Sequence, residues 1–295
     1  MSRKMRRCNF WSSPLHGRAL SIAVLLSGLL WWLPGSATVA HAGENFRQRL
    51  HAIELKEQSE ADIETETIFG RNVAGRVLSR FELYRDRDLN RYINLLGVGL
   101  ASHAARPELS FRFAVLDADE VNAYSAPGGY IFVTRGAVFA ARDEAELAAV
   151  LAHEIAHVNQ RHIVKALNLK ASDVSAGVGL SRLLGASGDV ARVAFSQVVD
   201  KAVAILFEQG YSQADELDAD RVATLLLALS GYDPTALKRY LQRLPSRHGE
   251  TVAINTTHPP SERRLIVLSR LLEEERLSSE GFRQNRERFN RYVRK

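Results

Sequence analysis

Between Asp88 and Ala104 the apolar residues Leu89, Tyr92, Ile93, Leu96 and Leu100 recur at intervals of three and four, which predicts a helix with one apolar face. At Ser110 the period changes to two. Phe111, Phe113 and Val115 alternate with Arg112 and Ala114 as a short strand, and Val121 to Ser125 and Tyr130 to Thr134 read as two more around the turn Ala126-Pro127-Gly128-Gly129. Asp143 is placed as an N-cap, with Glu146 three residues on completing a capping-box pattern, for a helix reaching about Leu169. A second long helix is expected over Gln213 to Ser230, closed by Gly231 and Pro234, and a third from Pro234 to about Leu244. A last helix should begin near Ser261, after the loop His258-Pro259-Pro260, while residues 44 to 60 are polar with helical spacing. The pattern as a whole gives an α+β, mainly helical domain with a small sheet built on a hairpin.

Composition narrows the partners. The chain of 295 residues is 46% hydrophobic and 25% charged, enough to bury a core. Its net charge of +5 arises entirely in residues 1 to 42, where Arg3, Lys4, Arg6, Arg7 and Arg18 face no acid; the remainder is neutral against 34 acidic residues. Nothing in that balance indicates nucleic acid. The same segment reads as a signal peptide: a basic stretch, an apolar run from Ala19 to Leu33 too short for a span of about 20 residues, and small residues ending at Ala42. Export to a periplasm with cleavage near Ala42 is the expectation. Cys8 would leave with it, so a metal site in the mature chain must be built from histidine and carboxylate. Residues 171 to 207 are rich in Ala, Gly, Val and Ser, but Asp173, Arg182, Asp189, Arg192, Asp200 and Lys201 interrupt every window long enough to cross a membrane.

The chemistry is carried by His153-Glu154-Ile155-Ala156-His157, an HExxH sequence inside a predicted helix. Residues four apart share a helix face, so both imidazoles can reach one zinc ion while Glu154 stands beside the position where water is activated. The apolar neighbours Leu147, Val150, Leu151, Ile155 and Val158 would make three polar groups here costly to bury without a metal. A third ligand is expected from the acidic head of the second helix, Asp215-Glu216-Leu217-Asp218-Ala219-Asp220: Glu216 as ligand and, one turn on, Asp220 orienting a ligand histidine. Either acid alone would read as a helix cap; the HExxH sequence changes that reading.

Four blocks carry a resemblance: Asn122-Ala123-Tyr124-Ser125-Ala126-Pro127-Gly128-Gly129, Leu151 to Val158, Tyr211-Ser212 with Glu216 to Asp220, and Thr257-His258-Pro259-Pro260-Ser261-Glu262-Arg263. In this order they make the chain similar to the HtpX, BepA and type I CAAX-protease family of zinc metallopeptidases, from about Phe69 to Leu268. The resemblance implies a gluzincin-like domain with two long zinc-binding helices, one Zn2+ per chain, His153, His157 and Glu216 as ligands, Glu154 as general base and Asp220 in support. It also implies protein or peptide substrates, with hydrolysis inside misfolded or misassembled envelope proteins; a chaperone-like protein that keeps the site but seldom cuts is the alternative. Asp218 stands where the family often has Glu.

The resulting division is a signal peptide at 1–42, a metallopeptidase domain at 43–270, and at 271–295 the end of the last helix with a basic tail. The expected form is free-standing, without the membrane helices or helical repeats of other members. Asn122, Ala123, Tyr124 and Ser125 form the candidate strand for edge pairing with an extended substrate. His258, stiffened by the prolines that follow, is expected to face the cleft, either assisting the oxyanion or closing the metal site. His162, five residues after His157, falls off the ligand face. The tail residues Arg283, Arg286, Arg288, Arg291, Arg294 and Lys295 read as a solvated charge run that can also touch anionic lipid or outer-membrane assembly machinery. The sequence leaves the oligomeric state open.

Overall fold

The computed structural model describes residues 60–167, 189–244, 258 and 262–294. The signal segment, the polar stretch 44 to 59 and the prolines after His258 lie outside the described residues. In chain order the elements are α1 (Glu60–Arg80), α2 (Arg87–Ala101), β1 (Arg112–Leu116), β2 (Ala123–Ala126), β3 (Tyr130–Thr134), α3 (Arg135–Ala140), α4 (Glu144–Asn159), α5 (His162–Ala166), α6 (Asp189–Ala204), α7 (Gln213–Leu229), α8 (Ala236–Arg243), α9 (Glu262–Glu274) and α10 (Arg286–Val293). The protein is α+β and mainly helical. No helix among the described residues is long and apolar enough to cross a membrane.

The sheet has the order β1-β3-β2, with β2 antiparallel and β1 parallel to the central β3. It is buried on both faces, because alternate residues of each strand enter different cores. Phe113, Val115, Ala123, Ile131 and Val133 join the core with α2, α4, α7, α8 and α10. Leu116, Tyr124, Ala126 and Phe132 join Phe69, Val73 and Val77 of α1 and Val199 and Ala202 of α6. The hairpin turn needs its glycines: Gly128 has φ 72°, and a Cβ on Gly70 of α1 would stand 1.7 Å from the Pro127 carbonyl oxygen.

Helix α4 is the centre of the fold, with all 16 residues buried and its most extensive packing against α7. Leu147, Leu151 and Ile155 are fully buried, each stabilising by about 1.5–3 kcal/mol relative to exposure. At its start Asp143 caps the Glu146 amide at 2.9 Å, while the Glu146 carboxylate reaches back to the Arg142 amide, one residue beyond the partner a capping box uses. Three buried acids at this end face the helix dipole and three arginines. Asp143 and Glu146 pair with Arg239, Glu146 also pairs with Arg243, and Glu144 accepts from Arg288, Asn285, Tyr92 and Tyr232. Burial alone would favour the protonated acid, but these donors hold the Glu144 carboxyl below the usual carboxylate range.

Two expectations are corrected. The motif helix does not run to Leu169: α4 ends at Asn159, Arg161 turns left-handed at φ 56°, and α5 starts afresh at His162. The basic stretch after 282 keeps its described arginines exposed, as expected of a solvated charge run, but it folds as α10 and is anchored to the core. Phe289 and Val293 of α10 are buried in the main core, Arg288 holds Glu144, and Arg294 bonds the carbonyls of Phe139 and Ala141. The apolar pair at i and i+4 outweighs the charges around it.

Candidate metal centre

One face of α4 presents His153, Glu154 and His157, the i, i+1, i+4 arrangement that the helix geometry dictates. The first turn of α7, capped by Ser212 onto the Asp215 amide, brings up Glu216, and Asp220 follows one turn later on the same side. His258 enters from the segment ahead of α9. One donor atom from each of His153, His157, Glu216 and His258 lies within 4.8 Å of the other three, and all four residues are buried. The two Nε2 atoms of His153 and His157 are 3.0 Å apart, His157 Nε2 is 3.4 Å from Glu216 Oε1, and His258 Nδ1 is 2.7 Å from Glu216 Oε1 and 3.4 Å from His153 Nε2. Such a convergence of lone pairs, buried from water, can hold a metal ion.

Around this set the other nitrogen of each HExxH histidine faces a buried polar side chain. His153 Nδ1 stands 3.1 Å from Asp220 Oδ1, and His157 Nδ1 is 2.8 Å from His162 Nδ1. His162 in turn faces Asp215 and Asp218, each at 3.6 Å. Arg264, 2% exposed, donates twice to Asp220 at 2.8 and 2.6 Å and to the His258 carbonyl at 3.2 Å, and its Nη1 stands 2.9 Å from Glu216 Oε2 as an ion pair. Burial would raise the Asp220 carboxyl, but Arg264 and His153 hold it below the usual range. Glu154 Oε2 is buried without a hydrogen-bond partner. Tyr211 stacks on the His157 ring, with centroids 4.0 Å apart and planes 21° apart.

Of the strand expected to meet substrate, β2 is at the sheet edge, but its residues diverge. Asn122 and Ala123 line a pocket with His153 and Glu154. Tyr124 is buried on the opposite face against Phe81 and Phe207, and Ser125 faces a small cavity with His157 and Tyr211. Three residues at the site carried no role in the sequence reading: His162, Arg264 and Tyr211. Arg264 directly follows the Thr257 to Arg263 block, and the presence of Asp220 with Glu216 on one helix face is the signal that a buried cation was required.

A scan against protein-family models matches residues 87–272 to peptidase family M48. The chain belongs to peptidase family M48. Among curated M48 relatives, the beta-barrel assembly-enhancing protease of Escherichia coli (strain K12) is 33% identical over 214 residues, covering 70% of this chain and 41% of that protein. That of Yersinia pestis is 34% identical over 256 residues, 83% of this chain and 51% of the relative. The mitochondrial metalloendopeptidase OMA1 of Schizosaccharomyces pombe is 29% identical over 201 residues, 67% of this chain and 55% of the relative. The chain thus spans about half the length of these M48 proteins, and the matched region contains the whole candidate centre.

Proposed function

We propose that this M48 chain is a zinc metalloendopeptidase that hydrolyses peptide bonds in misfolded or misassembled envelope proteins. The observation that carries the reading is the convergence of four donors beside Glu154, whose Oε2 has no hydrogen-bond partner. Donors bound tetrahedrally to zinc at about 2.0–2.1 Å stand about 3.3 Å apart, and the spacings of 3.0 to 3.5 Å among His153, His157 and Glu216 suit that set. In this reading His153, His157 and Glu216 are the ligands and a zinc ion supplies Lewis acidity to the scissile carbonyl and the attacking water. Glu154 takes the proton from that water and returns it to the departing amine nitrogen. Asp220 and His162 fix the tautomers and ring orientations of the two ligand histidines. Chelator-sensitive, zinc-restored cleavage of unfolded envelope protein is the direct test; a preparation with one zinc per chain that cleaves no unfolded substrate would end the proposal.

The ligand assignment has its own measurement. Glu216→Ala should lose most bound zinc, while Asp220→Ala should weaken affinity or activity by roughly 10 to 100-fold, with the imidazole of His153 free to turn. A larger loss of zinc at Asp220 in metal analysis reverses the assignment.

In this reading His258 takes the closing role rather than the assisting one: its Nδ1, 2.7 Å from Glu216 Oε1 and 3.4 Å from His153 Nε2, is close enough to act as a fourth donor, and a catalytic site must keep that position open. His258→Ala should therefore raise basal cleavage at constant zinc content. A decrease of about 10² to 10³ would instead make it the oxyanion donor.

The periplasm is the proposed compartment, on the strength of the signal-like pattern of residues 1 to 42. An intact mass of the exported protein that includes those residues would refute cleavage near Ala42.

A further inference from the structure

A second cleft lies away from the candidate centre, between α2 and the stretch that carries α10. It encloses about 660 Å³, within the range of about 300–1,000 Å³ that ligand sites occupy. Glu144, on its wall, opens α4, and His153 follows about 14 Å along the helix axis. One wall is a face of α2 where Tyr92, Leu95, Leu96 and Gly99 recur at intervals of three and four. Leu95 is 61% exposed, and Val98, next to Gly99 in the helix, is 44% exposed, so α2 shows bare apolar surface here. Tyr232, Arg283, Arg288 and Tyr292 form the opposite wall, with the Tyr292 ring stacked on Tyr92 at 4.6 Å.

The cations of the cleft are held in place by the fold itself. Arg283 donates to the carbonyls of Ser230 at 2.7 Å and Gly231 at 3.3 Å, and its guanidinium lies 5.3 Å over the Tyr232 ring. Arg288 grips Glu144 through Nε and Nη2 and reaches the Tyr232 hydroxyl at 3.2 Å. Neither arginine spends its Nη1 on a group among the described residues. Arg91, exposed on α2, makes no hydrogen bond or ion pair with them either. The acids do not cancel this charge. Glu144 is saturated by Arg288, Asn285, Tyr92 and Tyr232, and Asp88 is itself engaged. The partners of Arg283 are neutral carbonyls, so its charge stays uncompensated.

We propose that this cleft docks a polypeptide segment in which acidic side chains neighbour apolar ones. The carboxylates meet Arg91 and the free edges of Arg283 and Arg288, whose planar forks suit them. The apolar side chains cover Leu95 and the tyrosine pair, the contact that a bare phosphate would leave exposed to water. An anionic bilayer is the other partner for clustered arginines. It needs cations that project from the surface, whereas Arg283 and Arg288 are drawn back onto Tyr232 and Glu144 along the wall of a cleft. Docking does not depend on hydrolysis, and absence of chelator-sensitive cleavage leaves it in place.

The experiment uses the full zinc-loaded chain carrying Glu154→Gln, so that no probe is consumed, and follows fluorescein-labelled peptides by anisotropy. The probes alternate leucine with glutamate, leucine with glutamine, or serine with glutamate. The leucine–glutamate peptide should bind about tenfold or more tightly than either counterpart, because each of them lacks one half of the contact. Arg91→Glu should weaken that binding by about 3 to 10-fold, and added salt should narrow the difference. Gly99→Gln plugs the cleft without disturbing the fold, since a Cβ there meets nothing within 4 Å and a helix accepts glutamine more readily than glycine. It should cost about tenfold or more. Equal affinities for the three peptides, or an affinity unmoved by both variants, overturn the docking proposal. Sedimentation with phosphatidylglycerol vesicles that Arg91→Glu abolishes, without peptide binding, would make this face a membrane contact and overturn it as well.

Discussion

Glu154→Gln should lower peptide hydrolysis by about 10² to 10⁴ while leaving zinc content and thermal midpoint unchanged. Glu154 is 2% exposed, and its Oε2 has no hydrogen-bond partner, so exchange of that oxygen for an amide breaks no existing bond at that atom. What the amide lacks is a lone pair basic enough to take a proton from water at neutral pH. The metal ligands lie on the neighbouring positions His153 and His157, one before and three after, and their α4 backbone is fixed by burial along its whole length. Loss of zinc in the variant would show that Glu154 supports the metal. Undiminished cleavage at equal zinc content would remove it from the mechanism.

Arg264→Met should destabilise the protein by about 3–5 kcal/mol, the effect of removing one partner of a buried ion pair. The methionine occupies similar volume, so the loss is not a cavity effect; it leaves the Asp220 carboxylate, 1% exposed, without its two Arg264 donors and removes the ion-pair partner of Glu216. For a chain of this size the thermal midpoint should fall on the order of 10 °C. Asp220 would then take up a proton more easily, since Arg264 is the main force holding its carboxyl low against burial. A midpoint within 2 °C of the parent, about the effect of 1 kcal/mol or less, would mean that the cluster around the centre is far better solvated than its burial indicates.

The helical face that carries His153, Glu154 and His157 was legible because α-helical spacing is local and its residues are adjacent in sequence. Glu216 was legible for a related reason: a carboxylate in the first turn of a strongly patterned helix has few places to point. The parallel pairing of β1 with β3 was not, since nothing in the alternation of Phe113 and Val115 distinguishes a neighbour from an edge partner. The end of α4 was misread because Gln160 and Arg161 are ordinary helix formers, and only tertiary contact, including the Arg161 pairing with buried Glu66 at 3.0 Å, stabilises the left-handed residue. That break also explains His162. Continued helix would have carried it off the ligand face, but the turn at Arg161 swings it back onto His157. In the arginine-rich stretch, charge count obscured the apolar pair Phe289 and Val293, whose spacing was present all along.

The donors of the centre also impose an order of events. His258 meets His153 across 105 residues of chain, and Arg264 reaches back 44 residues to Asp220. Contacts so distant in sequence form late, after the loop-closure entropy of the intervening elements has been met. A growing chain that has already produced the HExxH helix therefore has a half-built centre, with Asp220 unneutralised and the fourth donor absent. Maturation of the site is tied to completion of α9 rather than of α4, so a truncated translation product carries the motif without the assembled centre.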